Sequence, residues 1–158
     1  MQDLTLREAR PADSPFLLSL AREAYQDVLS RQFSGWDESV HGTRFAEKVA
    51  TLPFLIAELD GTPVGAISSS LHDDHLRVNE LIVLPAFQNR GIGAWLLGRE
   101  IERAHDLGVP VRLHTFRLNR AVRFYERHGC VVTARRDDYI DMERAGSSSL
   151  PVGFGCVS

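Results

Sequence analysis

One stretch constrains this chain more than any other: Asn79 to Gly93, reading N-E-L-I-V-L-P-A-F-Q-N-R-G-I-G. Leu81 to Leu84 is an apolar, β-branched run short enough for a buried strand, and Pro85 ends it because proline has no N–H to give to a sheet ladder. Gly91 and Gly93 follow, and Ala94 to Leu107 has the periodicity of a helix. The order is strand, glycine turn, helix. Glycines without Cβ atoms let the backbone take unusual dihedrals and let a ligand approach the amides closely. The first amides of the helix have no partner inside it, and the positive end of the helix dipole lies behind them. Such a turn suits an anion, and phosphate is its natural occupant.

Two common phosphate loops do not fit. A P-loop requires Gly-Lys-Ser/Thr after its spacer, and neither lysine nor a hydroxyl residue follows Gly93. A dinucleotide fingerprint requires three glycines and a later acidic residue after the first strand of a βαβ unit.

In chain order, Leu4 to Ala9 alternates as a strand does, and Pro11 to Pro15 interrupts it. Asp13 or Ser14 is placed to cap a helix from about Pro15 to Leu29, with Leu17, Leu20, Ala24 and Val28 on one face. A second helical segment runs from about Glu38 to Ala50 and carries Val40, Phe45 and Val49. Phe54 to Leu59, the turn Asp60-Gly61 and Val64 to Ser70 read as a hairpin. The polar cluster His72-Asp73-Asp74-His75 marks the next turn, before Arg77 to Leu84 returns as the central strand. Val111 to Phe116 is another buried strand. Asn119 to His128 is a short helix with Ala121, Phe124, Tyr125 and His128 on one face, ended by Gly129. Val131 to Ala134 and Tyr139 to Met142 form a last hairpin. The domain spans 1–144, and 145–158 is a tail of linker composition in which Leu150, Val152 and Phe154 alternate.

Gln88-Asn89-Arg90-Gly91-Ile92-Gly93 resembles the Q/R-x-x-G-x-G/A pyrophosphate loop of the GCN5-related N-acetyltransferase (GNAT) superfamily. Asn119 to Gly129 resembles the segment that follows the fifth strand in the same family, N-x-(x)-A-x-x-F/L-Y-x-x-x-G. Asparagine stands six residues before the tyrosine, a spacing of only some members, and Cys130 replaces the usual phenylalanine. The resemblance implies an α+β fold with a mixed, mostly antiparallel sheet of six to seven strands flanked by about four helices. It also implies acetyl-CoA as cosubstrate and a primary amine, on a small molecule or a protein, as acceptor. Asn89, Arg90, Gly91, Ile92, Gly93 and Ala94 would hold the diphosphate, with Gln88 and Asn119 nearby. The backbone of Leu81, Ile82 and Val83 would pair with the pantetheine arm, the Val83 N–H serving as oxyanion donor.

The chemistry needs a proton on the leaving thiolate and one removed from the ammonium. Tyr125 holds the position of the family's general acid; its unperturbed pKa is about 10, so it keeps its proton at neutral pH. The plainer reading is a core aromatic. Glu80 is the first candidate for the base, directly or through water, and equally a solvated or cation-attracting carboxylate; His114 is second. The alternative function is an acyl-CoA-binding sensor or partner-binding module without turnover, which would have no use for a proton donor beside the thiol.

The net charge of −3 excludes the basic footprint of a duplex-binding domain. Of the 18 basic residues only Lys48 is lysine. Cys130 and Cys156 have no metal-ribbon spacing, and His72-x-x-His75 reads as a turn, so no metal is expected. No signal peptide or membrane span is evident, which points to a cytoplasmic protein, a monomer or homodimer.

Overall fold

The computed structural model describes residues 3–146. Seven strands and four α-helices follow one another as β1 (Leu4–Glu8), α1 (Ser14–Gln32), α2 (Thr43–Thr51), β2 (Leu55–Leu59), β3 (Thr62–Leu71), β4 (Leu76–Val83), α3 (Ile92–Leu107), β5 (Val111–Phe116), α4 (Ala121–Arg127), β6 (Val131–Arg135) and β7 (Tyr139–Arg144). The strands form one mixed sheet in the order β1-β2-β3-β4-β5-β7-β6, antiparallel except for β4 against β5. This is the α+β architecture expected from the sequence. The alternating tail residues Leu150, Val152 and Phe154, and Cys156, lie outside the described residues.

Local chemistry explains most of the elements. At the β2–β3 turn Asp60 and Gly61 both have positive φ, 50° and 84°, as a two-residue hairpin of this twist requires. Helix α1 buries Leu17, Leu20, Ala21, Val28 and Leu29, one face of a 3.6-residue period. Asp13 does not cap this helix through its side chain. Its carboxylate instead takes the Arg7 guanidinium at 2.8 and 2.9 Å and the Arg10 N–H at 2.7 Å. The Arg7 hydrogen bonds hold the Asp13 carboxyl well below the usual carboxylate range. A forked charge-assisted pair is stronger than a neutral cap, which is why the cap is forgone. The second helical segment starts as a π turn over Glu38–Gly42 before α2. Helix α3 begins at Ile92, two residues before its periodicity is legible.

The core lies on both faces of the sheet. Leu17, Leu20, Ala21 and Phe45 of α1 and α2 pack on Ile56, Ala66 and Ile82. On the other face Ile92 and Leu96 of α3 cover Ala57, Val64, Ile67 and Val83. Leu97 and Ala104 of α3 join Tyr125 over Leu76, Val78, Val111, Leu113, Ile140 and Met142.

Two irregularities of β4 create the site. It pairs with β5 only at Leu76↔Val111 and Arg77↔Arg112, after which the strands part. In the same place the register with β3 slips: Ser68 faces Glu80 and Ser69 faces Val78, leaving Asn79 as the extra residue of a β-bulge. The slip exchanges the faces. Leu76 and Val78 point to the α3 side, yet beyond the bulge it is Leu81 and Val83 that do so, while Ile82 points to the α1 and α2 side. Were all eight residues of β4 in unbroken alternation, with no bulge, Glu80 would follow Leu76 and Val78 into the α3 core, because side chains alternate with a period of two. With the bulge, Glu80 faces α1 and α2.

Candidate active site

The opening between β4 and β5 leads to two cavities. One, of about 660 Å³, is bordered by Val83, by Gln88, Asn89, Gly91, Gly93 and Ala94, and by Ala121, Phe124 and Tyr125 of α4. Asn89 (φ 63°) and Gly91 (φ 85°) are left-handed. A Cβ at Gly91 would meet nothing within 4 Å, so glycine is required there by the dihedral and not by space. The Trp95 N–H donates to the Gly91 carbonyl at 2.9 Å. The amides of Ile92, Gly93 and Ala94 precede that first helical bond and face out of the helix end. A Cβ at Gly93 would come within 3.4 Å of the Phe124 ring, which seats α4 directly against the turn. The Gln88 side chain donates to the Val83 carbonyl at 3.0 Å and ties the turn to β4. Donors and a concave wall of this kind fit a diphosphate without a metal.

The edge of β4 is equally specific. The Leu84 N–H donates to Val64 at 2.9 Å. Antiparallel ladder bonds fall on alternate residues, so the N–H groups of Val83 and Leu81 turn away from β3 and toward the opening.

The second cavity, of about 340 Å³, lies on the other side of Tyr125. Its floor is β4 and β5, Val78 to Leu81 and Leu113 to Phe116, and its walls come from α1, α2 and the β6–β7 hairpin. Tyr25, Leu81, Asn119, Ala121 and Tyr125 line both cavities, so the two meet at the Tyr125 ring. Burial, with the nearby Glu80 and Cys130, pushes the Tyr125 phenol well above its ordinary value. It carries its proton throughout the neutral range.

Glu80 is buried in the floor of that second cavity. Tyr25 donates its hydroxyl to one carboxylate oxygen, and Lys48 donates to the other at 2.5 Å. Burial and the Glu80 charge push the Tyr25 phenol well up, so it remains a donor. Tyr25 and Lys48 went unnoticed in the sequence; their only signal was that Lys48 is the single lysine. His114 accepts from the Arg77 guanidinium through Nδ1 at 2.6 Å. Arginine has no acceptor, so the ring's own proton sits on Nε2. Burial, reinforced by the charges of Arg77, Lys48 and Arg136, brings His114 down to about 4, and it is neutral at pH 7.

Asn119 uses both ends of its amide locally. Its Nδ2 donates to Thr115 Oγ1 at 2.9 Å, and its Oδ1 accepts from the Ala121 N–H at 2.9 Å, fixing the start of α4. Arg90 lies over the Phe87 ring, 5.0 Å from its centre. Leu81 lines both cavities, whereas the Ile82 side chain is part of the α1 core. Cys130 is buried, and desolvation pushes its thiol up to about 11, far from a reactive thiolate. His72 and His75 stack at 4.6 Å, with Asp74 on His75. Among the described residues no group of three His, Cys, Asp or Glu could hold a metal, and no helix is long and apolar enough to cross a membrane.

Residues 16–130 match the model of the acetyltransferase (GNAT) family. Among solved structures, the PaiA N-acetyltransferase of Thermoplasma acidophilum, in complex with coenzyme A, superposes with a TM-score of 0.75 at 21% identity, covering 90% of this chain and 99% of that one. A GCN5-related N-acetyltransferase of Rhodopseudomonas palustris gives 0.71 at 21% identity, with 89% and 94% covered. The protein yncA of Salmonella typhimurium, with its cofactor acetyl-CoA, gives 0.60 at 23% identity, with 90% and 94% covered.

Proposed function

The chain belongs to the GNAT family of acetyltransferases, and from that premise we propose that it moves an acetyl group from acetyl-CoA to a primary amine by direct attack, with Tyr125 as general acid and Glu80 as acceptor of the amine's proton. The observation that carries this reading is the meeting of two cavities at one protonated phenol. A merely binding protein would need only the first cavity.

Acetyl-CoA supplies an acyl group activated as a thioester. The amides at Asn89 to Ala94 and the Gln88 turn would hold its diphosphate, and the β4 edge from Leu81 to Val83 its pantetheine arm. The Val83 N–H would donate to the carbonyl oxygen as charge develops there. The amine nitrogen forms a bond to the carbonyl carbon, the carbon–sulfur bond breaks, Tyr125 gives its proton to the departing sulfur, and the proton that the nitrogen sheds on becoming an amide restores the phenol. A free alkylammonium has a pKa of about 10.4 and no lone pair, so one proton must leave it first. Glu80 would take that proton, directly or through water, while Tyr25 and Lys48 hold its carboxylate in place. His114 is the lesser candidate, because its Nδ1 lone pair is engaged by Arg77. Asn119 would serve the cofactor through α4, whose start it fixes.

The test is a screen of amine acceptors with acetyl-CoA, reading released thiol, beside a Tyr125→Phe variant. Thiol release that depends on the amine and on the Tyr125 hydroxyl is expected. Acetyl-CoA binding with no release for any amine would leave only the sensor reading.

A further inference from the structure

The charges around the second cavity do not balance. Three cations line it, Arg44, Lys48 and Arg136, against one acid, Glu80. Lys48 is matched by Glu80 at 2.5 Å, and Arg136 by Asp141 at 2.6 Å. Arg44 has no ion-pair or hydrogen-bond partner among the described residues. It also stands one helical turn before Lys48 on the same face of α2, a like-charge spacing that is unfavourable by itself. The field is felt elsewhere in the cavity, since Lys48 and Arg136 both act to keep His114 unprotonated. One part of the wall is aromatic, with Trp36, Phe45, Phe116 and Tyr139 on the lining.

We infer that the acceptor is an amine that also carries an oxyanion, a carboxylate in the manner of an α-amino acid, bound through Arg44 with its apolar body against the aromatic wall. The inference rests on the assignment of this cavity to the amine. An arginine fork matches a carboxylate in two parallel hydrogen bonds. Oligoamines without an acid group would add positive charge beside Arg44 and are disfavoured acceptors. The cavity volume of about 340 Å³ accommodates a body of amino-acid size.

Calorimetric titration of the CoA-loaded protein with L-phenylalanine, L-phenylalaninamide and phenethylamine isolates the carboxylate; leucine and isoamylamine form a second pair with a smaller body. Each acid should bind about tenfold or more tightly than its amidated or decarboxylated partner. Arg44→Gln, an exchange on an exposed position, should erase that difference by weakening the acid while the cationic amide and amine bind no more weakly than before, and Arg44→Lys should retain part of it. Equal or tighter binding of the amide and amine, an equal loss for all probes in Arg44→Gln, or no binding in either series would overturn the inference. Thiol release from acetyl-CoA, measured with the same compounds, separates the two readings. Release with phenethylamine but no preference for the acid refutes the anionic acceptor alone; Arg44-dependent binding of the acid without release refutes acetyl transfer alone.

Discussion

Replacing His114 by glutamine should make the protein more resistant to acid, and the size of the effect follows from the burial of the ring beside Arg77. In the folded chain His114 titrates at about 4, whereas in the unfolded chain it titrates near 6.5. Its folded value is depressed, so the unfolded state binds the extra proton, and stability is lost as the pH falls from about 6.5 toward about 4. Well above pH 7 both states are neutral and the residue contributes nothing. At pH 5 the unfolded histidine is almost fully charged and the folded one almost fully neutral, a difference of about 2 kcal/mol for a fully buried ring and about 1 kcal/mol for this half-buried one, whose charge solvent screens. Glutamine offers Arg77 an acceptor oxygen and does not titrate. Urea unfolding at pH 7 and pH 5 should therefore show His114→Gln losing about 1 kcal/mol less than wild type between the two. The acid-sensitive Arg7–Asp13 pair is common to both proteins and cancels. An equal loss in the two proteins would mean that the imidazole charges inside the fold as it does in water. Burial beside Arg77 would then not hold it neutral, and His114 would regain its standing as a base.

Tyr125→Phe should keep the fold and acetyl-CoA affinity and lower kcat by about 10²-fold, read by steady-state kinetics beside a CoA isotherm; an unchanged kcat would return Tyr125 to packing. Glu80→Gln should lower the rate most at low pH, where free amine is scarce, and a pH–rate profile parallel to wild type would leave Glu80 a binding role only. Gly91→Val places a β-branched residue at a φ of 85°. It should abolish the thermal shift that CoA gives by mass action, a gain of about 2.7 kcal/mol at a hundredfold excess over Kd in wild type. An undiminished shift in the folded variant would refute the loop assignment.

What could be read in the sequence was what short stretches of chain decide alone. The Asp60-Gly61 hairpin, the glycine turn before α3 and the strand Val111–Phe116 are each set by neighbours within a few residues. The second cavity was illegible because it is assembled at long range. Tyr25 reaches Glu80 across 55 positions and Lys48 across 32, and no local pattern encodes either contact. Asp13 has the right chemistry for a cap but meets a guanidinium from the preceding strand. The β4 bulge did leave a trace. In L-R-V-N-E-L-I-V the apolar residues fall on Leu76 and Val78, are interrupted by Asn79-Glu80, and resume on Leu81 and Val83, a phase slip that is visible once alternation is tracked by parity.

That slip makes the direction of Glu80 a matter of counting and not of identity. A point mutation changes which side chain stands at a position of β4, but it leaves unaltered how many residues separate Leu76 from Val83. The most frequent kind of coding change therefore leaves the carboxylate facing Tyr25 and Lys48, whatever becomes of its neighbours. The loss of one codon at Asn79 changes the count and still preserves the direction. It would remove the bulge and restore regular pairing with β3, and because Leu76, Val78, Leu81 and Val83 then alternate without a break, Glu80 would keep facing Tyr25 and Lys48. The strand is thus tolerant of spelling errors and of that one frame-preserving deletion, and aligned sequences with the same chemistry should vary at Asn79, or lack it, while keeping Glu80.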